Sequence, residues 1–228
     1  MNPIVPGNGS AIFLHNSTNG PTAGCVSIPE SSLVSIMKAI KPNAKILIAK
    51  DINSIPDDIT GHWAESTIRD FKNKGYILGY PDNTFRPNNP MTRAEFVKTV
   101  NKVFNFTASG HMKFNDVPNN SWYYNDIAIA SELGYIDGKS DTIFDPDGYI
   151  TRQEAAKIVA TIKVCIDYNY DNINKFIDKN NIADWAKPYV EGVIEVGYMN
   201  GLPGDIFAPT NYISRAEVVT VLSRSKMW

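Results

Sequence analysis

The sequence predicts a mainly α-helical fold in which three helix–loop–helix repeats pack in a pseudo-threefold arrangement, preceded by a small α/β segment. Three observations predict it. Tryptophans recur at separations of 59 and 63 residues, two glycines and a Phe-x-Pro sequence follow each tryptophan at fixed distances, and each copy then carries a hydroxyl-Arg-x-Glu quartet. Neither helix of one copy can bury its apolar face alone, so we expect the copies to pack on one another.

The repeat is defined by distances counted from Trp63, Trp122 and Trp185. A glycine lies 12 residues on, a second glycine 16 on, phenylalanine 22 on, proline 24 on, and the quartet begins 29 on, in all three copies. The two glycine sets are Gly75, Gly134 and Gly197, and Gly79, Gly138 and Gly201. The three quartets begin at Thr92, Thr151 and Ser214.

Each repeat begins with a helix that runs from the tryptophan to the first glycine. Apolar positions such as Ile68 and Phe71 share one face of this helix. The glycine is expected to end it at C′, where a left-handed backbone is strained for other residues. A glycine-rich loop follows, and the second helix begins at the quartet, because Ser/Thr-x-x-Glu is the signature of a capping box.

Domain boundaries follow from the repeat. We expect an N-terminal segment at residues 1–50 and repeats at 51–107, 108–170 and 171–228.

Composition excludes several classes of protein. Hydrophobic residues make up 43% of the 228 and charged residues 20%, as in globular proteins. The formal charge is −2 and no dense basic run is present, so nucleic acid is not an expected partner. No apolar stretch is long enough for a membrane span, and we see no secretion signal after Met1. Two cysteines, Cys25 and Cys165, cannot form a disulfide framework.

Arginine occupies the first helical position of each capping box, as Arg93, Arg152 and Arg215. A cation there faces the positive end of the helix dipole and needs compensation. A bound anion would supply it, because the helix terminus offers free N–H donors and a guanidinium pairs with a carboxylate through two hydrogen bonds. The alternative is a nearby acidic residue. The candidates are Asp58, Asp116 and Asp178.

Other candidate ligand contacts have structural alternatives. The tryptophans offer a flat face to a sugar ring or belong to the core. The second glycine of each loop allows a ligand close to the backbone or serves the turn. The three aspartates accept hydrogen bonds from sugar hydroxyls or cap the first helix. The threonine and glutamate of each quartet are interpreted as caps.

One calcium motif fails on inspection. Asp145, Asp147, Gly148 and Glu154 match positions 3, 5, 6 and 12 of an EF-hand loop, but position 1 would be Ile143, whose side chain cannot bind calcium. We expect no metal and no cofactor.

A tryptophan-containing first helix, a Gly-Tyr-x-x-Gly loop, Phe-x-Pro and Thr-Arg-Ala-Glu, present in triplicate, resemble the S-layer homology (SLH) domain over about residues 55–228. The resemblance implies a three-lobed helical module with a central helical bundle and ligand grooves between lobes. It also implies a ligand, a secondary cell-wall polysaccharide that carries acidic pyruvate ketals. Copy two has Gln153 and copy three Ser214 where the family pattern differs, so the grooves need not be equivalent.

Residues 1–50 carry a second resemblance. The segments Ile-Phe-Leu-His and Pro-Thr-Ala-Gly-Cys-Val, followed by a predicted helix at about 30–40 and an apolar strand at 45–49, resemble the C-terminal end of L,D-transpeptidase (YkuD-like) domains. That resemblance makes Cys25 the nucleophile and His15 its base, acting on peptidoglycan. The alternative is a buried cysteine and a histidine at a strand end. Such domains exceed a hundred residues, so we interpret the segment as a remnant, inactive alone.

Three functions follow. The first is non-covalent anchoring of a surface protein to an acidic wall polysaccharide at the bacterial cell surface. The second is a wall-anchored cysteine L,D-transpeptidase, and the third is assembly of an S-layer lattice through protein contacts. If the arginines bind ligand, their replacement by alanine weakens binding unequally and leaves the fold intact.

Overall fold

The computed structural model describes residues 57–226 continuously, with the backbone of residues 14–16 and 26–28 and helical positions at 31, 34, 35 and 38. The chain divides into two compact units, Met1–Ile55 and Pro56–Trp228. In the first unit, strands β1 (Leu14–Asn16) and β2 (Val26–Ile28) pair in parallel. The helical positions lie in the segment predicted as a helix. The strand predicted at 45–49 lies outside the described residues.

The described part of the second unit contains six α-helices that alternate between nine and twelve residues. They are α1 (Glu65–Asn73), α2 (Arg93–Phe104), α3 (Tyr124–Glu132), α4 (Arg152–Lys163), α5 (Lys187–Glu195) and α6 (Arg215–Lys226). Two 3₁₀ turns, Ile173–Lys175 and Lys179–Asn181, precede α5. The mainly α-helical prediction is confirmed. None of the helices in the described residues has the length and apolar character that crossing a membrane requires.

The sequence signals for helix ends act as predicted. The Thr92 hydroxyl accepts from the Glu95 amide while the Glu95 carboxylate accepts from the Thr92 amide, and the other two quartets form the same reciprocal pair. The glycine that follows each short helix has a positive φ: +71° at Gly75, +70° at Gly134 and +74° at Gly197. A residue with a Cβ would be strained there, so glycine fixes the end of the first helix.

Helices pack between repeats. The first helix of each repeat lies against the second helix of the repeat before it, α3 on α2 and α5 on α4, and α1 closes the circle by packing on α6. Helix α6 also contacts α2 and α4, which places the long helices at the centre. The first and last repeats are therefore joined as the consecutive ones are.

Three backbone hydrogen bonds close a ring around the pseudo-threefold axis. The Ile150 amide donates to the Met91 carbonyl (3.1 Å), Ile213 to Ile150 (3.0 Å) and Met91 to Ile213 (3.2 Å). All three side chains are fully buried. Each residue stands just before a capping box, so the ring fixes the start of α2, α4 and α6 relative to one another.

Candidate functional site

Three grooves lie between the repeats, and we number them by the repeat that supplies the glycine loop. Their volumes are about 250, 310 and 600 Å³. Groove 1 is lined by residues that include Leu78, Gly79, Glu95, Lys98, Trp122 and Arg215. Groove 2 is lined by residues that include Arg93, Asp137, Gly138, Glu154, Lys157 and Trp185. Groove 3 is lined by residues that include Trp63, Arg152, Asn200, Gly201, Glu217 and Thr220.

Every groove draws on all three repeats. Groove 1 takes its loop and long helix from repeat 1, Trp122 from repeat 2 and Arg215 from repeat 3. Grooves 2 and 3 follow the same rule, with the tryptophan of the next repeat and the arginine of the preceding one. The structure thus brings together the predicted arginines, tryptophans and second loop glycines. The three predicted aspartates lie elsewhere.

The arginines are held by the neighbouring repeat. Arg93 is 5% exposed. Its Nε donates to the Phe144 carbonyl and its Nη2 to the Asp137 carbonyl, both at 2.8 Å, and its Nη1 lies 3.4 Å from Glu154 Oε1. The compensation that a cation at a helix start requires therefore comes from two carbonyl dipoles and a carboxylate of the next repeat.

The same contacts recur around the ring. Arg152 donates to the Phe207 carbonyl (2.7 Å) and the Asn200 carbonyl (3.0 Å) and pairs with Glu217 at 2.5 Å. Arg215 donates to the Phe85 carbonyl (2.9 Å) and the Leu78 carbonyl (2.8 Å) and lies 3.7 Å from Glu95. Each guanidinium thus ties its repeat to the loop of the next. The acidic partners are the capping glutamates, and the proposed pairing with Asp58, Asp116 or Asp178 is wrong.

The amides at the start of the long helices are also occupied. The Arg93 amide donates to the Gly148 carbonyl (2.9 Å) and the Ala94 amide to the Pro146 carbonyl (3.0 Å). Corresponding bonds form at the starts of α4 and α6. The sequence-based expectation that these termini offer free donors to an anion is therefore wrong, because the Phe-x-Pro loop of the next repeat fills them.

Burial is the main influence on the pKa values of the three arginines. It lowers the pKa of Arg93, Arg152 and Arg215, and the nearby carboxylates oppose that shift. Burial alone would raise the pKa of Glu154, but hydrogen bonds from Lys139 and Thr151 and the charge of Arg93 hold it below its ordinary value. Glu154 thus remains a carboxylate that caps α4 through Oε2 and faces Arg93 through Oε1.

The tryptophans are on the surface. Trp63 is 64% exposed, Trp122 55% and Trp185 46%, so the core alternative is wrong. The Lys98 ammonium lies 4.6 Å from the centre of the Trp122 ring, and the Lys157 ammonium lies 5.4 Å from that of Trp185. An exposed indole beside a cation offers a flat apolar face together with a charge.

The aspartates hold the Phe-x-Pro turn. Asp58 Oδ1 accepts from the Phe85 amide (2.7 Å) and Oδ2 from the Arg86 amide (2.5 Å), where Arg86 has a φ of +58°. Asp116 and Asp178 clamp the equivalent turns of their repeats. The alternative of a cap on the first helix is wrong, since the N-cap of α1 is Ala64, without a side-chain bond. Both carboxylate oxygens of each aspartate serve the fold.

A side chain at the second loop glycine would collide with a carbonyl of the same loop in all three copies, and in the third copy also with the Phe176 ring. A Cβ on Gly79 would lie 2.8 Å from the Thr84 carbonyl oxygen, and one on Gly138 would lie 2.4 Å from that of Ile143. A Cβ on Gly201 would lie 2.4 Å from the Phe176 ring. The turn alternative therefore explains these glycines, although they also line the grooves.

Sequence reasoning missed the cations on the long helices. Lys98 and Lys157 both stand 35 residues after the tryptophan of their repeat, and Thr220 holds that position in repeat 3. The distance was available as a signal, but surface lysines on a helix are common and only the fold turns these toward a groove.

The structure describes the position of one of the two predicted catalytic residues of the N-terminal segment. His15 lies in β1, opposite Ser27 of β2. Cys25 lies outside the described residues. In the part of the second unit that the structure describes, no three His, Cys, Asp or Glu side chains converge as a metal site.

Comparison with known proteins identifies the repeat. The profile of the S-layer homology domain matches residues 57–97, 113–156 and 175–219, which together exceed half of the chain. Nothing in the comparisons supports the resemblance of residues 1–50 to an L,D-transpeptidase.

Relatives of known name share this region. A cellulosome-anchoring protein of Acetivibrio thermocellus is 41% identical over 66% of the chain and 35% of its own length. An exoglucanase of Acetivibrio thermocellus is 32% identical over 73% of the chain, and a surface-layer 125 kDa protein of Lysinibacillus sphaericus 30% identical over 83%. The chain spans 16% of the length of each of these last two. The chain belongs to the S-layer homology domain family.

Proposed function

We propose that the grooves of this chain bind an acidic, pyruvylated saccharide of a secondary cell-wall polysaccharide. Membership of the S-layer homology family supports a location at the bacterial cell surface and a role in anchoring to the cell wall. The saccharide extends that assignment to a ligand. The relatives include proteins named for cellulosome anchoring and for the surface layer.

One observation carries the proposal. Each groove combines an exposed indole from one repeat, the edge of a buried guanidinium from another, and a loop backbone from the third. An indole face suits the apolar face of a sugar ring, and the cations suit a carboxylate. Positively charged side chains outnumber acidic ones in every groove. An acidic saccharide satisfies both features.

A cosedimentation experiment tests the ligand. The full chain is mixed with purified cell-wall sacculi, either intact or with the secondary polysaccharide chemically removed. We expect the chain to pellet with the first and stay in solution with the second. Binding that survives removal of the polymer contradicts the proposal. Lattice assembly would instead give sedimentation of the chain without sacculi.

A matched pair of variants locates the binding surface. Trp122→Ala removes an indole of groove 1, whereas Tyr212→Ala removes a similarly exposed aromatic side chain, 57% accessible, that lies in no described groove. We expect Trp122→Ala to weaken binding to intact sacculi about tenfold, the equivalent of a sugar-stacking contact. Equal affinities of the two variants would remove groove 1 from the mechanism.

A further inference from the structure

The three grooves carry different side chains at one equivalent position of the long helix that faces them. The position 35 residues after each tryptophan holds Lys98 in groove 1, Lys157 in groove 2 and Thr220 in groove 3. The position is equivalent in the three repeats, so these residues show which side chain each long helix presents to its groove.

The lysines of groove 2 are already paired. The Lys157 ammonium lies 2.6 Å from the Asp137 carboxylate, and Lys139 lies 2.5 Å from Glu154, which also faces Arg93. A ligand carboxylate entering groove 2 must therefore compete with two carboxylates of the protein. Such competition removes much of the gain from a new ion pair.

Groove 3 offers less charge in a wider space. Its volume is about 600 Å³, and Thr220 leaves no ammonium beside the Trp63 ring at the compared position. Arg152 is paired with Glu217, and Arg224 is the other cation that lines the groove. Leucine, methionine and proline side chains complete much of its wall.

Groove 1 contains two ammonium groups, those of Lys98 and Lys102, and one carboxylate. Lys98, Lys102 and Arg215 face a single carboxylate, Glu95, whose distance from Arg215 is 3.7 Å. Lys98 lies over the Trp122 ring, and Lys102 donates to a backbone carbonyl at 3.2 Å. Within residues 57–226, neither lysine forms an ion pair with a carboxylate.

We infer that groove 1 is the groove that an acidic sugar occupies first, and that Lys98 selects the acid by pairing with its carboxylate while Trp122 receives the sugar ring. The inference rests on the proposed function and deepens it. An ammonium without an acidic partner gains the full attraction of an incoming carboxylate, with no protein ion pair to break. Grooves 2 and 3 then bind the same acid more weakly.

The tryptophans provide a separate reporter for each groove. The probe is a methyl hexoside that carries a 4,6-linked pyruvate ketal, and its methyl ester is the uncharged match. Titration of the ¹⁵N-labelled full chain follows the indole N–H resonances of Trp122, Trp185 and Trp63, assigned through Trp→Phe variants. We expect the Trp122 resonance to reach half-saturation at the lowest concentration of the acid, and the ester to bind groove 1 about tenfold more weakly.

Two variants test the role of the ammonium: one removes it from groove 1 and the other adds one to groove 3. Lys98→Gln is expected to raise the half-saturation concentration at Trp122 about five- to tenfold and to leave Trp185 and Trp63 unchanged. Thr220→Lys places an ammonium beside Trp63 and is expected to lower the half-saturation concentration there. Lys74→Gln is the matched control and is expected to leave all three titrations unchanged, because Lys74 pairs with Asp70 at the surface and lines none of the three grooves.

The outcomes separate this inference from the proposed function. If Trp185 or Trp63 saturates first, or if Lys98→Gln leaves the Trp122 titration unchanged, the inference is overturned and saccharide binding in the grooves stands. If no indole responds to the acid while the chain still cosediments with intact sacculi, both are overturned, since the wall ligand is then held outside the grooves.

Discussion

Replacement of Arg152 by alanine should destabilise the fold, in contrast to the expectation from sequence that it would affect binding alone. The side chain is 4% exposed and makes three contacts with repeat 3: the Phe207 and Asn200 carbonyls and the Glu217 carboxylate. Truncation leaves two carbonyl groups and a partly buried carboxylate without their donor. The seam between repeats 2 and 3 therefore loses its main polar contact.

The size of the effect follows from those contacts. Removal of one partner of a buried charge pair costs about 3–5 kcal/mol, because the remaining charge is left uncompensated. For a unit of this size, about 1 kcal/mol shifts the melting temperature by roughly 2–4 °C, so we expect a fall of about 6–20 °C. Arg93→Ala and Arg215→Ala should cost less, since their carboxylates are more distant, at 3.4 and 3.7 Å.

Chemical denaturation followed by tryptophan fluorescence measures this change in the repeat unit, because all four tryptophans lie at or after residue 63. Arg86→Ala is the matched control. Arg86 pairs with Asp82 at the surface, where both side chains are more than 40% exposed, so its loss should cost below about 1 kcal/mol. If Arg152→Ala and Arg86→Ala unfold at the same denaturant concentration, the arginine does not hold the ring together.

Three further predictions concern single side chains. Asp116→Ala frees two backbone amides of its turn and should lower the unfolding free energy by about 2 kcal/mol in urea, while Asp141→Ala, at an exposed site, should not. Val164→Asn should raise the free energy of unfolding, measured in urea, by about 0.5–1 kcal/mol. Val164 has a φ of +52° at the end of its helix, where repeat 1 has Asn105. The folded state lowers the pKa of Glu154, so its stabilisation is present above the ordinary value of 4.5 and is lost as the pH falls through the lower, folded-state pKa. Glu154→Gln should therefore be about 1–2 kcal/mol less stable than the parent at neutral pH, and urea unfolding at decreasing pH should show this difference disappear below that pKa.

Local features of the fold were predictable because they depend on residues close in sequence. The capping box of Thr92 and Glu95 and the left-handed glycine at Gly75 each satisfy a backbone requirement within four residues. The packing partners of the helices were not. The three copies share one sequence pattern, so the pattern alone does not determine whether α3 packs on α2 or on α4. The packing of all the helices in the ring determines it.

The candidate site shows the same division. The arginine was correctly identified as a cation that needs compensation, but the compensation lies 51 residues away, at the Phe144 carbonyl of another repeat. Asp58 was misread because its partner amides, at Phe85 and Arg86, are 27 and 28 residues distant. A helix-dipole argument detects a positive charge at a helix start that requires compensation. It does not reveal whether a ligand or a distant part of the chain meets that need.

The circular arrangement makes each groove depend on all three repeats. Groove 1 needs the loop of repeat 1, Trp122 of repeat 2 and Arg215 of repeat 3, and the other grooves permute the same contributions. Removal of any single repeat therefore leaves no groove complete, and it also opens the seam that α1 and α6 close. The three arginines hold the repeats together and also line the grooves, so the proposed binding surface requires a closed ring.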